Sequence, residues 1–322
     1  MTKYLVVTID VEPDCTPSWR YANPLTFAGV STGIREYLQP LFQQYNIIPT
    51  YLINNVVLED EKSCDVLRNL SGSYELGTHL HPEFIEPLKK FDLYAGKKAE
   101  ANCCFYPHDI EYMKIKNITD LFTRNFGYNP VTFRAGRFSA GPNTIDSLAK
   151  LGYRVDTSVT PHVVWEDSSR EMPVDFSSAP DQPYFIKPGS ISEEDHNGSI
   201  LQVPVSITTK KASIFSELKE TRFGMRRSIR STRPMWLRPV FSSAKECIQL
   251  AEEFCAKYQD KDVLILNMMF HNVEIMPGLS PYTKSKKDCE NYLHQLEEFF
   301  IYCGDTNIHG AKLSSIYDFY RK

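Results

Sequence analysis

His79 and His81 stand one residue apart immediately before Pro82, in the stretch Glu75-Leu76-Gly77-Thr78-His79-Leu80-His81-Pro82-Glu83. Proline disfavours the helical region for the residue ahead of it, so His81 is expected to be extended. In extended chain residues i and i+2 share a face, roughly 6.5 Å apart at about 3.3 Å rise per residue. Both imidazoles can then converge on one cation, and a helical pairing of His79 with Glu83 is disfavoured. Thr8-Ile9-Asp10-Val11-Glu12-Pro13-Asp14 repeats the device with acids: Pro13 keeps Glu12 extended, so Asp10 and Glu12 share a face. Alone, that stretch reads equally as acidic solubility at a loop mouth or a helix cap.

Three further stretches end in residues able to do chemistry. Val131-Thr132-Phe133-Arg134-Ala135-Gly136-Arg137-Phe138-Ser139-Ala140-Gly141 places Arg134 at a strand end, as an ion-pair partner or a clamp on a catalytic carboxylate. Gly136 and Gly141 bracket a loop whose backbone N–H groups could approach a reacting oxygen. Asp156 closes Tyr153-Arg154-Val155-Asp156. His271 closes the apolar run from Val263, as a satisfied core histidine or a proton carrier. Between Lys210 and Arg238, Lys210, Lys211, Lys219, Arg222, Arg226, Arg227, Arg230, Arg233 and Arg238 face only Glu217 and Glu220. That run is either a solvated face or an anion patch in which Arg226, Arg227 and Arg230 bind a phosphate or diphosphate.

The elements that must position these residues follow from periodicity. Apolar runs of strand length alternate with helical segments, the pattern of parallel strands joined by helices. Strands are predicted at Tyr4–Ile9, Ile47–Ile53, Tyr74–Leu80, Val131–Arg134, Tyr153–Asp156, Ile200–Val205, Val263–Phe270 and Ala311–Leu313. Helices are predicted at Gly33–Tyr45, Glu61–Leu70, Asp109–Phe126, Asn143–Leu151, Ser243–Tyr258 and Lys286–Tyr302. The reading is a single domain over 1–322, with a region rich in Pro, Ser and charge at about 161–239 as an irregular, basic insertion. In parallel α/β folds active sites lie at the carboxyl ends of strands, where the five stretches end.

The 322 residues, 42% hydrophobic and 24% charged, have an ordinary globular composition, and a net charge of −4 argues against a general nucleic-acid or membrane-surface binder. No signal-type leader or membrane-length apolar run is visible, so a cytoplasmic location is expected. The eight cysteines show no Cys-x-x-Cys spacing and are read as reduced thiols.

In their order, Thr8-Ile9-Asp10-Val11-Glu12, Glu75-Leu76-Gly77-Thr78-His79-Leu80-His81, Phe133-Arg134-Ala135-Gly136-Arg137, Asp156-Thr157-Ser158 and Met269-Phe270-His271 resemble the motifs of the polysaccharide deacetylase family of carbohydrate esterases. The chain departs from that pattern in three places. The usual second metal histidine, four residues after the first, is Glu83; the usual second aspartate is Val11; and a tyrosine position is Arg137. With His-x-His-Pro and His271-Asn272-Val273-Glu274, this resembles a subgroup associated with bacterial surface-glycan biosynthesis. The resemblance implies a distorted (β/α) barrel of seven to eight mostly parallel strands and a divalent metal, zinc foremost. It further implies His79, His81 and Glu12 as ligands, with Asp10 and Asp14 open as alternatives for the carboxylate. Asp10 would be the general base, oriented by Arg134, with donors near Arg137 stabilising the oxyanion. His271 would be the general acid, kept charged by Asp156 or another acid. The implied substrate is an N-acetylated sugar: a nucleotide sugar, a lipid-linked oligosaccharide or a nascent glycan. A metal-dependent hydrolase of another amide or ester, and a catalytically silent glycan-binding barrel, are the alternatives.

Overall fold

The computed structural model describes residues 1–89, 100–166, 174–211 and 232–321. Its centre is β1, Thr2–Val11, which is buried from Leu5 onward because both of its faces are covered. Around it lie β2 (Pro49–Asn54), β3 (Glu75–Leu80), β4 (Thr132–Ala135), β5 (Val155–Asp156), β6 (Tyr184–Phe185), β7 (Leu201–Gln202), β8 (Val263–His271) and β9 (Ile308–Gly310). The sheet order is β8-β1-β2-β3-β4-β5-β7-β6, with β9 also paired to β1; every pairing is parallel except β6 with β7. This is the mostly parallel, helix-covered barrel expected from the alternation of elements.

The barrel is distorted where the ladder stops between β7 and β8. There Ser206 N–H donates to Asn267 O (3.0 Å) and Asn267 N–H to Ser206 Oγ (2.8 Å). The Gln182 amide pairs with both the N–H (3.1 Å) and the C=O (2.9 Å) of Ile265. Side chains thus satisfy backbone groups that no neighbouring strand reaches.

Alternation along β1 sorts its residues into two environments. Leu5, Val7, Ile9 and Val11 point outward into the main core, which also takes in side chains of the helices His108–Phe126 and Lys286–Asp305. Val6, Thr8, Asp10 and Glu12 point inward. Val6 joins Ile265, Val155, Leu201 and Val203 in an apolar floor, closed beneath by Leu313 and Ile316 of the helix Leu313–Tyr320. Above that floor the interior turns polar, through Thr8, Asn267, Thr157 and Arg134, before reaching the carboxyl ends of the strands.

All six predicted helices and seven of the eight predicted strands match observed elements to within a few residues. The Gly33–Tyr45 prediction is met by a wide π-helical turn, Gly29–Leu38, running into an α-helix, Gln39–Gln44. The predicted strand at Ala311–Leu313 is displaced: the last strand is Ile308–Gly310, and Leu313 begins a helix. Gly310 accounts for the shift, since a Cβ there would lie 2.5 Å from Asn46 O. The irregular stretch contributes β6 and β7 to the main sheet and two small antiparallel pairs, Val164–Trp165 with Val174–Asp175 and Ile207–Lys211 with Thr232–Trp236. Among the described residues no helix is long and apolar enough to cross a membrane. Among the described residues no disulfide joins the cysteines.

One buried acid lies apart from the strand ends. Burial pushes the Glu111 carboxyl up to about 8, opposed by a hydrogen bond from Thr144 Oγ1. Between its ordinary value and that raised value the folded state holds a proton that the unfolded chain has lost. Its contribution to stability therefore falls as pH rises from about 4.5 to about 8. Glu111→Gln should raise the melting temperature at pH 8 with little change at pH 4.5, measured by thermal denaturation across that range. Equal shifts at both pH values would contradict the assignment.

Candidate metal centre and surrounding acid–base groups

Parallel register brings the strand ends together: Asp10 lies opposite His271, and His79 opposite Arg134. Glu12 continues the inward face beyond the end of the ladder with β8. Its backbone is held by the Asn272 side chain, which accepts from Glu12 N–H (2.8 Å) and donates to Glu12 O (3.1 Å). One side-chain amide thereby extends the ladder by a residue and aims the Glu12 carboxylate across the barrel mouth.

That carboxylate meets both histidines. Glu12 Oε1 is 3.1 Å from His79 Nε2 and 2.8 Å from His81 Nε2, and the two Nε2 atoms are 3.1 Å apart. All three side chains are buried. Donor atoms on a tetrahedral ion with bonds of about 2.0–2.1 Å stand roughly 3.3 Å apart, so this triangle has the size and the N, N, O donor set of a three-ligand zinc-type site. The outer contacts favour the same use. His79 Nδ1–H donates to Arg134 O (3.2 Å), leaving Nε2 as a lone-pair donor. The outer edge of His81 faces Glu83 Oε1 at 3.7 Å, and Glu83 is itself paired with Arg137 (2.7 Å). Glu83 therefore supports His81 from the side away from the triangle, as the extended backbone before Pro82 requires.

Of the three acids open as the carboxylate ligand, the other two are committed elsewhere. Asp14 accepts from Ala28 N–H (2.7 Å) and Gly29 N–H (2.8 Å), tying down the start of the π-helical turn. Asp10 Oδ1 accepts from Arg134 (2.7 Å), while its Oδ2 stands 3.8 Å from both His79 Nε2 and His271 Nε2. Burial opposes ionisation of Asp10, but Arg134, with His79 and His271, outweighs it and holds the carboxyl below its ordinary range. Arg134, fully buried, also donates to Thr157 O (3.0 Å) and Thr8 Oγ1 (2.6 Å).

His271 receives its support from a residue that sequence reasoning passed over. Its Nδ1 lies 2.8 Å from Glu274 Oε1, and Glu274 is also bound by Arg238 and by Tyr292 OH (3.1 Å). The signal was present in His271-Asn272-Val273-Glu274: one turn of 3₁₀-helix, Asn272–Ile275, brings i and i+3 together. Of the acids open for this role, Asp156 or another, it is another that serves: Asp156 accepts from Ser158, Oγ (2.6 Å) and N–H (3.0 Å), and burial pushes its carboxyl up to about 6. Arg238 leaves the basic run to become a buried ion-pair partner. Arg226, Arg227 and Arg230 lie outside the described residues. Lys114 was also missed: its buried ammonium donates to Pro82 O and Ile85 O, both at 2.7 Å, pinning the chain just after His81.

Arg137 and Phe138 both adopt left-handed backbone, φ 54° and 53°. The turn carries the half-exposed Arg137 guanidinium to the rim beside His81 (3.3 Å from Nδ1). Gly136 makes the approach possible, because a Cβ there would sit 2.8 Å from Leu80 O and 3.0 Å from His81 Cδ2.

No protein-family model and no curated protein sequence matches the chain. Solved structures do. A protein described as a polysaccharide deacetylase from Mycobacterium smegmatis aligns with TM-score 0.53 and 16% identity over 100% of this chain and 91% of that one. The Puue allantoinase aligns with TM-score 0.55 and 13% identity over 98% and 88%. A GH57-type branching enzyme from Pyrococcus horikoshii aligns with TM-score 0.54 and 12% identity over 100% and 71%. These similarities establish the fold.

Before an ion binds, the triangle holds a proton. Burial lowers the His81 value, but the Glu12 carboxylate more than reverses this and carries it up to about 9, while Glu12 is held well below its ordinary range. A cation must displace that proton, so zinc affinity should rise about tenfold per pH unit from pH 6 to 8 and flatten above about pH 9. Competition titration against a chromophoric chelator measures this. An affinity independent of pH would exclude the site.

Proposed function

We propose that this chain is a metal-dependent deacetylase that removes an N-acetyl group, or an O-acetyl group, from a sugar during surface-polysaccharide biosynthesis. The observation that carries the reading is the buried Glu12–His79–His81 triangle, with the Arg134-bound Asp10 and the Glu274-bound His271 at its edge. The motif order in the sequence and the shared barrel fold support it.

A divalent ion held by Glu12, His79 and His81 would supply a Lewis acid that makes water a nucleophile near neutral pH. Asp10 has one oxygen fixed by Arg134, so Oδ2 is the atom placed to accept a proton. His271 Nε2, on the other side of that oxygen at 3.8 Å, is placed to deliver a proton to the departing nitrogen. Glu274 fixes the tautomer by accepting from Nδ1–H. Arg137, on the rim beside His81, would donate to charge developing on the acyl oxygen. Arg226, Arg227 and Arg230 would bind the diphosphate of a nucleotide or lipid carrier, and replacing all three with Ala should raise KM for such a substrate. Hydrolysis of another amide or ester uses the same groups, and acetate among the products separates the two readings.

Purified protein should contain about one divalent ion per chain and release acetate from N-acetylated oligosaccharides. His79→Ala and His81→Ala should lose the ion, read by elemental analysis. Asp10→Asn should retain most of it and lose at least about 10²-fold in turnover, and His271→Ala a similar factor with an unchanged melting temperature. A metal-free wild type unaffected by the histidine substitutions would leave the silent glycan-binding reading.

A further inference from the structure

The loop after β1 carries a residue that neither the metal triangle nor the acid–base pair uses. Trp19 sits at the tip of a short hairpin-like turn closed by a bridge between Cys15 and Tyr21. Its backbone is left-handed, φ 56°, a conformation unfavourable for a bulky L-residue that persists only where its surroundings impose it. The turn imposes it through Trp19 N–H to Thr16 O (3.0 Å) and Thr16 N–H to Arg20 O (2.7 Å).

The indole is thereby set against the reacting groups. Its ring centroid lies 5.1 Å from that of His271, tilted by 54°, and 5.7 Å edge-on from Tyr282. Tyr282 packs in turn on Phe241 (5.8 Å), and the buried Arg238 guanidinium lies over both rings. Trp19 is part-buried and the His271 side chain is 17% exposed, so this wall meets solvent where the proton donor does.

We infer that Trp19 is the platform on which the sugar ring of the substrate packs. The inference rests on the amide-hydrolysis reading above and adds which side of the mouth takes the sugar. In that reaction water oxygen bonds to the acyl carbon, the C–N bond breaks, and the nitrogen leaves with a proton from His271. The nitrogen is attached directly to a sugar ring carbon. A ring whose nitrogen takes the His271 proton therefore starts one bond from the atom that meets the imidazole, on the side of the indole. The apolar C–H face of a pyranose suits the flat electron-rich face of tryptophan, and its hydroxyl edge remains free for solvent. The acyl group points the other way, toward His81 and Arg137.

The test is equilibrium binding by calorimetry, with a panel of N-acetylglucosamine and N-acetylgalactosamine oligosaccharides as probes and acetate release assayed separately. Glycine accepts φ 56° without strain, so Trp19→Gly removes the indole while leaving the turn its conformation. Trp19→Phe keeps a ring. Wild type should bind at least one probe, Trp19→Gly should weaken it by about tenfold or more, and Trp19→Phe should recover most of the loss. Zinc stoichiometry should be the same in all three proteins, which separates a lost platform from a collapsed site. No binding by wild type, equal binding by Trp19→Gly, or a Trp19→Phe variant no better than Trp19→Gly would each overturn the inference. Binding that depends on Trp19 without acetate release would uphold the platform and reject the deacetylase reading.

Discussion

The buried pair of Arg134 and Asp10 is the interaction on which the rest of the site depends. A guanidinium with no solvent contact is tolerable only when its charge is matched and its N–H groups are satisfied. Arg134 meets both conditions with β1 and β5, through Asp10, Thr8 and Thr157. Thr8 and Thr157 are bound to Asn267 of β8, so one side chain ties four strands across the interior. Its consequences reach the chemistry twice. The side chain decides which Asp10 oxygen is free, and the backbone carbonyl of the same residue accepts from His79 Nδ1 and so sets that histidine's tautomer. Removing one partner would leave an uncompensated buried charge, at about 3–5 kcal/mol.

The layering of the barrel explains how such a polar interior survives. Val6, Thr8, Asp10 and Glu12 follow one another up a single face of β1 and its continuation, from apolar floor to paired charge to the carboxylate between two imidazoles. Each step toward the mouth adds polar groups and partners for them. The apolar floor and its covering helix keep water from the lower interior, so the Arg134 network keeps the strength of a low-dielectric contact.

Period-two alternation and two prolines made the pairing of His79 with His81 and of Asp10 with Glu12 legible in the sequence, because both act within a few residues. Pro82 and Pro13 hold the chain extended, and extended chain puts His79 with His81 and Asp10 with Glu12. Which of Asp10, Glu12 and Asp14 faces the histidines was not legible, because the answer lies in partners distant in sequence: Arg134 for Asp10, and the amides of Ala28 and Gly29 for Asp14. That another acid, and not Asp156, supports His271 has a local cause. An acid at a strand end two residues before a serine can close a turn on itself, and Asp156 does so with Ser158. Arg238 could not be separated from its basic neighbours by charge counting, since only the fold carries it to Glu274. Trp19 and Lys114 carried no sequence signal at all, as each acts through tertiary placement.

A barrel shared by proteins of different chemistries leaves the choice among reactions to the commitments of the site's own groups. Glycosidic-bond cleavage needs two carboxyl groups free to flank one bond, roughly 5–10 Å apart. Here the interior acids are spoken for: Asp10 by Arg134, Glu12 by two imidazoles, Asp156 by Ser158, and Glu274 by Arg238 and His271. At the mouth one oxygen of Asp10 and the Nε2 of His271, the proposed base and acid, face each other at 3.8 Å. That pair, beside a triangle of neutral and anionic donors, suits addition of water to a carbonyl and protonation of the group that leaves. The carbonyl hydrolysis we propose thus has support in the site's own groups.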